Sequence, residues 1–203
     1  MRLPVFFAVI LLSLWVIWGS SCGFKAPLSL QNPQIFKNRS DSFYQNQRQL
    51  KSLKSYAQIS LAYPHGIEHW QGVLWIEAPN HLRFLFLDDL GQSQANLIIS
   101  DQWIWIQNFH TGKDQLIKTQ EGQLQKAFKI KTSVQELIQA ILLHKAPPEH
   151  LSYGKLQNLE GFWIAQESLF TFKKGQMRLS LEQSQINPEI DPTNFWIPGL
   201  KSE

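Results

Sequence analysis

From Leu50 onward the sequence is a succession of short runs of β-forming apolar residues, each closed by a turn signal. The runs cover residues 56–63, 70–78, 82–87, 95–100, 103–109 and 115–119. Pro64-His65-Gly66, Pro79-Asn80, Leu90-Gly91-Gln92, Asp101-Gln102 and Thr111-Gly112 divide them, and connections this short predict an antiparallel meander. Further runs at 151–157, 162–167, 169–173 and 177–183 bring the expected sheet to about ten strands. Helical spacing is confined to a few places. Ser133-Val134-Gln135-Glu136 fits a capping box, in which the Ser hydroxyl accepts the Glu backbone N–H and the Glu side chain reaches back. Val134, Leu137, Ile138, Ile141 and Leu142 then form one apolar stripe, which Pro147-Pro148 ends. Leu50, Leu53 and Lys54 predict a short helix before the first strand, and residues 122–128 predict another.

A sheet with one face in water alternates apolar and polar residues, and these strands do not. Val73 and Trp75 oppose Leu74 and Ile76; Phe84 and Phe86 oppose Leu85 and Leu87; Trp103 and Trp105 oppose Ile104 and Ile106. Both faces need cover, and so few helical residues cover one face incompletely. The fold expected is mostly β with an α lid: a curved antiparallel sheet, or half-open β-barrel, covered by short helices. The uncovered remainder is left to self-closure or an apolar ligand. An apolar cavity would be lined by some of Trp75, Phe84, Phe86, Trp103, Trp105, Phe170 and Phe172, with Leu137 and Ile141 on the lid. Against it stands the plainer reading that each aromatic simply fills the core, and a register error of one residue inverts the whole set.

Composition narrows the classes. Of 203 residues 43% are apolar and 17% charged, which excludes a disordered polyelectrolyte. A net charge of +3 with no basic run longer than Lys173-Lys174 gives no reason to expect nucleic acid. The single cysteine excludes an internal disulfide and a cysteine-rich zinc site. Arg2 precedes an apolar stretch at 3–18, shorter than the roughly 20 residues a spanning helix needs, and Gly19, Ser20 and Ser21 follow. This predicts a signal peptide over 1–21. The small residues before Cys22 resemble a bacterial lipobox, with Gly19 where that motif favours Leu. The resemblance implies a lipid-modified cysteine as the mature amino terminus, and Gly23 after it resembles the pattern of lipoproteins exported to the outer membrane. Residues 22–48, rich in Asn, Gln, Ser and Pro, are expected to tether one domain at 49–203.

Several segments together resemble the LolA/LolB family, the periplasmic lipoprotein carrier and its outer-membrane receptor. Leu53-Lys54-Ser55-Tyr56 leading into Ala57-Gln58-Ile59-Ser60, then residues 72–80 with Gly72, Leu74, Trp75 and Pro79, resemble the carrier's G-x-L-W-x-x-x-P strand and the segment before it. Residues 97–105 resemble the next strand pair, with Gln102 in place of a turn Gly. Asn187-Pro188-Glu189-Ile190-Asp191 through Phe195 and Pro198-Gly199 resemble the closing N-x-x-I-D…F…P-G element. The resemblance implies a curved sheet with an apolar concave face, a helical lid, and reversible binding of acyl chains without covalent chemistry or cofactor. The carrier's Arg before the strand-ending Pro is Ala78 here, with Arg83 the nearest cation, and a soluble carrier lacks an acylated cysteine. Both departures favour a fixed receptor or accessory role.

Enzymatic motifs are few. His65-Gly66-Ile67-Glu68-His69 has H-x-x-E-H spacing, but zinc chemistry needs that motif on a helix, and Pro64 and Gly66 predict a hairpin loop instead. Asp88, Asp89 and Asp101 suit turns better than acid–base pairs, so no catalytic residue and no metal ligand are expected. The function expected is that of a monomeric outer-membrane lipoprotein. It would bind acyl chains of lipoproteins or envelope lipids, received from a periplasmic carrier, and take part in their localisation; the alternative is a non-catalytic structural or sensing module on the same scaffold. Ile67, apolar in a polar hairpin, would touch the membrane or the donor, unless it folds back on the sheet. Intact-mass measurement should show an acylated species for the native chain and loss of the lipid mass in Cys22→Ser; an acylated Cys22→Ser would refute the anchor.

Overall fold

The computed structural model describes residues 29–30, 39–100, 102–118, 133–172 and 175–199. Cys22, residues 1–21, most of the expected tether, Asp101, the helix expected at 122–128 and Lys173-Lys174 lie outside the described residues. Eleven strands are described: β1 (Ser52–Tyr63), β2 (Gly66–Glu77), β3 (His81–Leu87), β4 (Ser93–Ile99), β5 (Trp103–Asn108), β6 (Lys113–Lys118), β7 (Leu151–Tyr153), β8 (Leu156–Leu159), β9 (Phe162–Ala165), β10 (Glu167–Phe172) and β11 (Gly175–Ile186). Two short α-helices accompany them, α1 (Asp41–Gln47) and α2 (Val134–Ile141), with a 3-10 turn at Pro192–Phe195. None of the described helices is long and apolar enough to cross a membrane.

Nine strands form one antiparallel sheet in the order β6-β5-β4-β3-β2-β1-β11-β10-β7, and β8 and β9 form a separate hairpin. The large sheet curves without closing, as the half-open barrel expected from the pattern requires. Its bend is tight at Gly72, where a Cβ would strike the Leu85 carbonyl and the Phe84 ring, so only glycine fits. A bulge in β11 opposite Ser55 adds to it; the buried Ser55 hydroxyl lies 2.8 Å from the Glu182 carbonyl and 3.0 Å from Ser184 Oγ.

The register settles which side chains share a face. Leu53, Ala57 and Ile59 pair with Ile76, Gly72 and Trp70; the Leu53 row continues through Leu82 and Ile99 to Ile104, the Ala57 row through Phe86 to Ala95, and the row between them runs from Ser55 through Leu74, Phe84 and Leu97 to Ile106. This concave face carries the main core. Its cover is α2, whose capping box forms as expected, with Ser133 Oγ accepting the Glu136 N–H at 3.1 Å and the Glu136 carboxylate accepting the Ser133 N–H at 3.0 Å. Ile138 and Ile141 are buried, and Leu137 packs against the core. The β8–β9 hairpin joins the cover through Ile164 and Ala165, although the sequence pattern joined β7 to β8 in one strand.

At the amino-terminal edge the structure corrects two expectations. Leu53 and Lys54 belong to β1, not to a helix, and a helix occupies 41–47, inside the segment expected to be tether. The described fold therefore begins no later than Asp41. α1 is held by Gln47, buried to 1% exposure, whose amide donates to the carbonyls of Trp163 (2.8 Å) and Leu142 (3.3 Å) and accepts the Trp163 N–H (2.9 Å). α2 ends in a left-handed turn at Leu143, φ 58°, with the His144 N–H reaching the Gln139 carbonyl and the Leu143 N–H reaching Ala140. Leucine at that position costs roughly 1–2 kcal/mol, which burial of its side chain offsets. The turn aims the His144 ring inward, where Nε2 donates to the Leu50 carbonyl at 2.7 Å.

The convex face has its own cover, a third answer beside self-closure and ligand. The carboxyl-terminal segment folds across it: Ile197 packs with Ile98, Trp105 and Trp103, and the buried Phe195 stacks on His81 at 5.2 Å. Asp191 caps the 3-10 turn by accepting the Thr193 N–H, a bond that holds its carboxyl below the usual range. Arg83 clamps the segment to the sheet, donating to Asn194 Oδ1 (2.9 Å) and Asn96 Oδ1 (3.0 Å).

Burial, opposed in part by the bond to Leu50, lowers the His144 pKa, and the Lys51 and Arg48 charges push the same way. A depressed folded pKa contributes stability that is present above the unfolded value, about 6.5, and is lost as pH falls. Urea unfolding should thus show native protein losing more stability between pH 7.5 and 5.5 than His144→Gln, which keeps a donor for Leu50; equal losses would refute this.

Candidate functional site

On the concave face, exposure changes along the strands. Beneath α2, side chains fill the space, with Leu53, Ile76 and Ile138 at 0% exposure. Towards the β1–β2 hairpin the same face continues past the helix. There Ile59, Leu61, Trp70, Phe86, Phe172 and Met177 are only half-buried, and Tyr63 is 37% exposed. The result is an apolar trough spanning five strands, open among the described residues. Its walls are aromatic: Trp70 meets Phe86 edge-on at 6.1 Å, Phe86 meets Phe84 at 4.5 Å, and Tyr63 lies 6.3 Å from Phe172. The Phe172 ring also fills the side-chain space over Gly175, where a Cβ would strike it and the Ala62 carbonyl.

This placement divides the residues expected from sequence. Phe84 and Phe170 are buried on the concave face, Phe86 and Phe172 line the trough, and Leu137 and Ile141 face the core from α2. Trp75, Trp103 and Trp105 are not with them. They lie on the convex face, Trp75 within cation–π range of Arg83 (5.1 Å) and Lys54 (5.8 Å), Trp105 beneath Ile197, and Trp103 beside Lys118 (5.9 Å). The reason is that both parities of these strands are apolar, so periodicity alone could not choose between them. Arg83, on the convex face too, serves the carboxyl-terminal clamp and not α2. The trough residues absent from the expected set, Ile59, Leu61, Tyr63, Trp70 and Met177, carried one signal: they share alternation with Leu53 and Ala57 on β1, with Leu74 and Ile76 on β2, and with Leu179 and Leu181 on β11.

The hairpin itself differs from the expected loop. Tyr63 pairs with Gly66 across a turn of Pro64 and His65, so Ile67, Glu68 and His69 are strand residues. Ile67 is half-buried opposite Ala62 on the convex face, which withdraws it from the tip. His69 and Glu68 point to opposite faces, His69 Nδ1 lying 2.9 Å from Ser60 Oγ, and no group of metal ligands forms among the described residues. At the far end of the strands lies a cleft of about 310 Å³ lined by Arg48, Lys51, Ala78, Pro79, Gln139 and His144, cationic in character and separate from the trough.

No protein-family model and no curated protein matches the sequence. Solved structures do match in fold. A DUF1329 family protein from Desulfovibrio piger aligns with TM-score 0.55 and 6% identity, over 76% of this chain and 95% of that one. A domain described as an outer membrane lipoprotein-sorting protein, from Vibrio parahaemolyticus, aligns with TM-score 0.53 and 8% identity, over 76% and 94%. A LolA superfamily protein from Nitrosomonas europaea aligns with TM-score 0.47 and 8% identity, over 75% and 95%. The first two alignments show a shared fold, an open, curved antiparallel sheet, and the likeness is one of fold alone.

The contrast between packed core and open trough is measurable. Phe84→Ala should cost roughly 3–5 kcal/mol in denaturant unfolding, while Phe172→Ala, at a site where solvent already reaches the ring, should cost distinctly less; equal losses would mean the trough is ordinary core.

Proposed function

We propose that this chain binds acyl chains in the concave trough and works in the cell envelope, in the localisation of lipoproteins or lipids. The observation that carries the reading is the incompletely buried aromatic and aliphatic strip running from Tyr63 and Phe172 to Trp70 and Phe86, left uncovered by α2 among the described residues. An exposed apolar surface is costly in water, and each CH₂ of a chain laid along it removes about 0.8 kcal/mol of that cost. Affinity then comes from length and fit, without a catalytic step or cofactor. The half-barrel fold supports the reading, since one structure sharing it is described as a lipoprotein-sorting domain.

Within this proposal residues 1–21 are a cleaved signal peptide and Cys22 is the lipid anchor, with a short tether leading to α1. Two or three acyl chains at one cysteine hold a protein on a bilayer durably, whereas one does not. A protein fixed to the outer membrane on its periplasmic side would receive chains from a diffusing carrier and release them into the bilayer beside it. The Phe84–Phe86 contact at 4.5 Å favours a second reading, in which the aromatics pack on each other and the domain is a dry structural or sensing module.

One experiment separates them. Protein lacking residues 1–21 and carrying Cys22→Ser should retain envelope lipid in native mass spectrometry. A brominated long-chain fatty acid should quench its tryptophan emission through Trp70, with affinity reduced at least roughly tenfold, about 1.4 kcal/mol, in Leu61→Arg. Neither retention nor quenching would establish the dry module.

A further inference from the structure

Glu68 is out of place in the trough just described. It sits on β2 opposite Leu61, on the face shared with Ile59, Trp70 and Met177, two residues from the Trp70 ring and diagonally across from Tyr63. One carboxyl oxygen, Oε2, is shut off from solvent and has no hydrogen-bond partner among the described residues. Burial raises its pKa, and its charge, diagonally across the strand pair from Tyr63, helps to raise that of the phenol, whose own burial is the larger cause. An occluded carboxylate oxygen without a donor loses hydration and gains nothing in return. Proteins tolerate such a group where something else completes it. The only other occluded and unpartnered side-chain atoms among the described residues, Gln176 Oε1 and Arg178 Nε, lie two strands away at this same end of the sheet, on the convex face.

We propose that Glu68 is the headgroup site of the trough, accepting a hydrogen bond from an ammonium carried at the head of the bound amphiphile. This rests on the acyl-binding reading and adds to it a ligand class. The geometry gives the chain and the head separate surfaces: aliphatic and aromatic walls for the tail, and one acceptor at the hairpin end for the head. An ionised carboxyl only accepts, so the head must donate, and an ammonium is favoured over a hydroxyl or amide because it adds a charge opposite to that of the carboxylate. A bound ammonium would favour the ionised form of the carboxyl, against the effect of burial. A fatty carboxylate would meet like charge at the same point, so the site sorts amphiphiles by head and not only by tail.

The test uses three ligands of one chain length, dodecylammonium, dodecanol and dodecanoate, each displacing a fluorescent acyl probe from the soluble Cys22→Ser protein at pH 7. Dodecylammonium should displace the probe at roughly tenfold lower concentration than dodecanoate. In Glu68→Gln that ratio should fall towards one while dodecanol is unchanged, and Glu68→Asp should restore part of it. Equal potency of the charged ligands in native protein, or a ratio that survives Glu68→Gln, would overturn the headgroup site alone, because dodecanol would still report a working trough. Failure of the probe and of all three ligands to bind would overturn the trough reading and this proposal together. Lysophosphatidylethanolamine and a lauroylated lysine peptide then distinguish the two sources of an ammonium, a lipid head or a lipidated chain. Glu68 dependence for either supports the proposal, and for neither refutes it.

Discussion

A sheet whose strands are apolar on both faces cannot stand in water, and the rest of this molecule follows from how each face is covered. The two covers are different in kind. On the concave side α1, α2 and the β8–β9 hairpin close over Leu53, Leu74, Ile76 and Phe84. On the convex side no helix is needed, because the last described residues lie flat across β3, β4 and β5 with Phe195 and Ile197 pressed down. Among the described residues the hairpin half of the concave side is left open.

What fixes the covers in place is polar. Gln47 ties α1 to β9 and to the end of α2, His144 ties the end of α2 to the chain entering β1, and Tyr153 donates its hydroxyl to the Ala140 carbonyl. Apolar packing alone would let a short helix slide on a smooth sheet, whereas each of these buried groups is satisfied at one registration only. The Tyr153 hydroxyl, its pKa raised by burial, stays a donor throughout the ordinary pH range. On the other face Arg83 does the same for the carboxyl-terminal segment, bridging Asn96 on β4 to Asn194 while resting on Trp75.

Most strands and turns were legible in the sequence because punctuation by Pro, Gly and Asn is local, and so was α2, because a capping box is written in four consecutive residues. The failures share a cause. Trp75, Trp103 and Trp105 went to the wrong face because alternation carries no information where both parities are apolar, and only pairing with Lys54, Ile98 and Lys118 decides the matter. α1 was hidden because a helix of seven residues that buries chiefly Gln47 leaves no apolar stripe to read. Leu50 and Leu53 looked helical by spacing, yet Leu53 is a strand residue paired on both sides. The trough itself was implied by the shortage of helical cover, but its position depended on which end of the sheet α2 would reach.

The pairing of β1 with β11 has a consequence for how the chain can assemble. Leu53 finds its partner Ile186 across almost the whole length of the described fold, while β1 through β6 can zip up from neighbours. In a chain that emerges amino terminus first, the amino-terminal meander precedes the strand that completes it, with the edge of β1 bare and its inward side chains lacking Leu179 and Leu181. Closing so long a loop is entropically expensive and slow. Until β11 arrives the nascent sheet carries a free hydrogen-bonding edge next to an apolar surface, the combination that recruits foreign strands. The interval between emergence of β2 and emergence of β11 is therefore one in which this sheet is open to aggregation at the edge of β1.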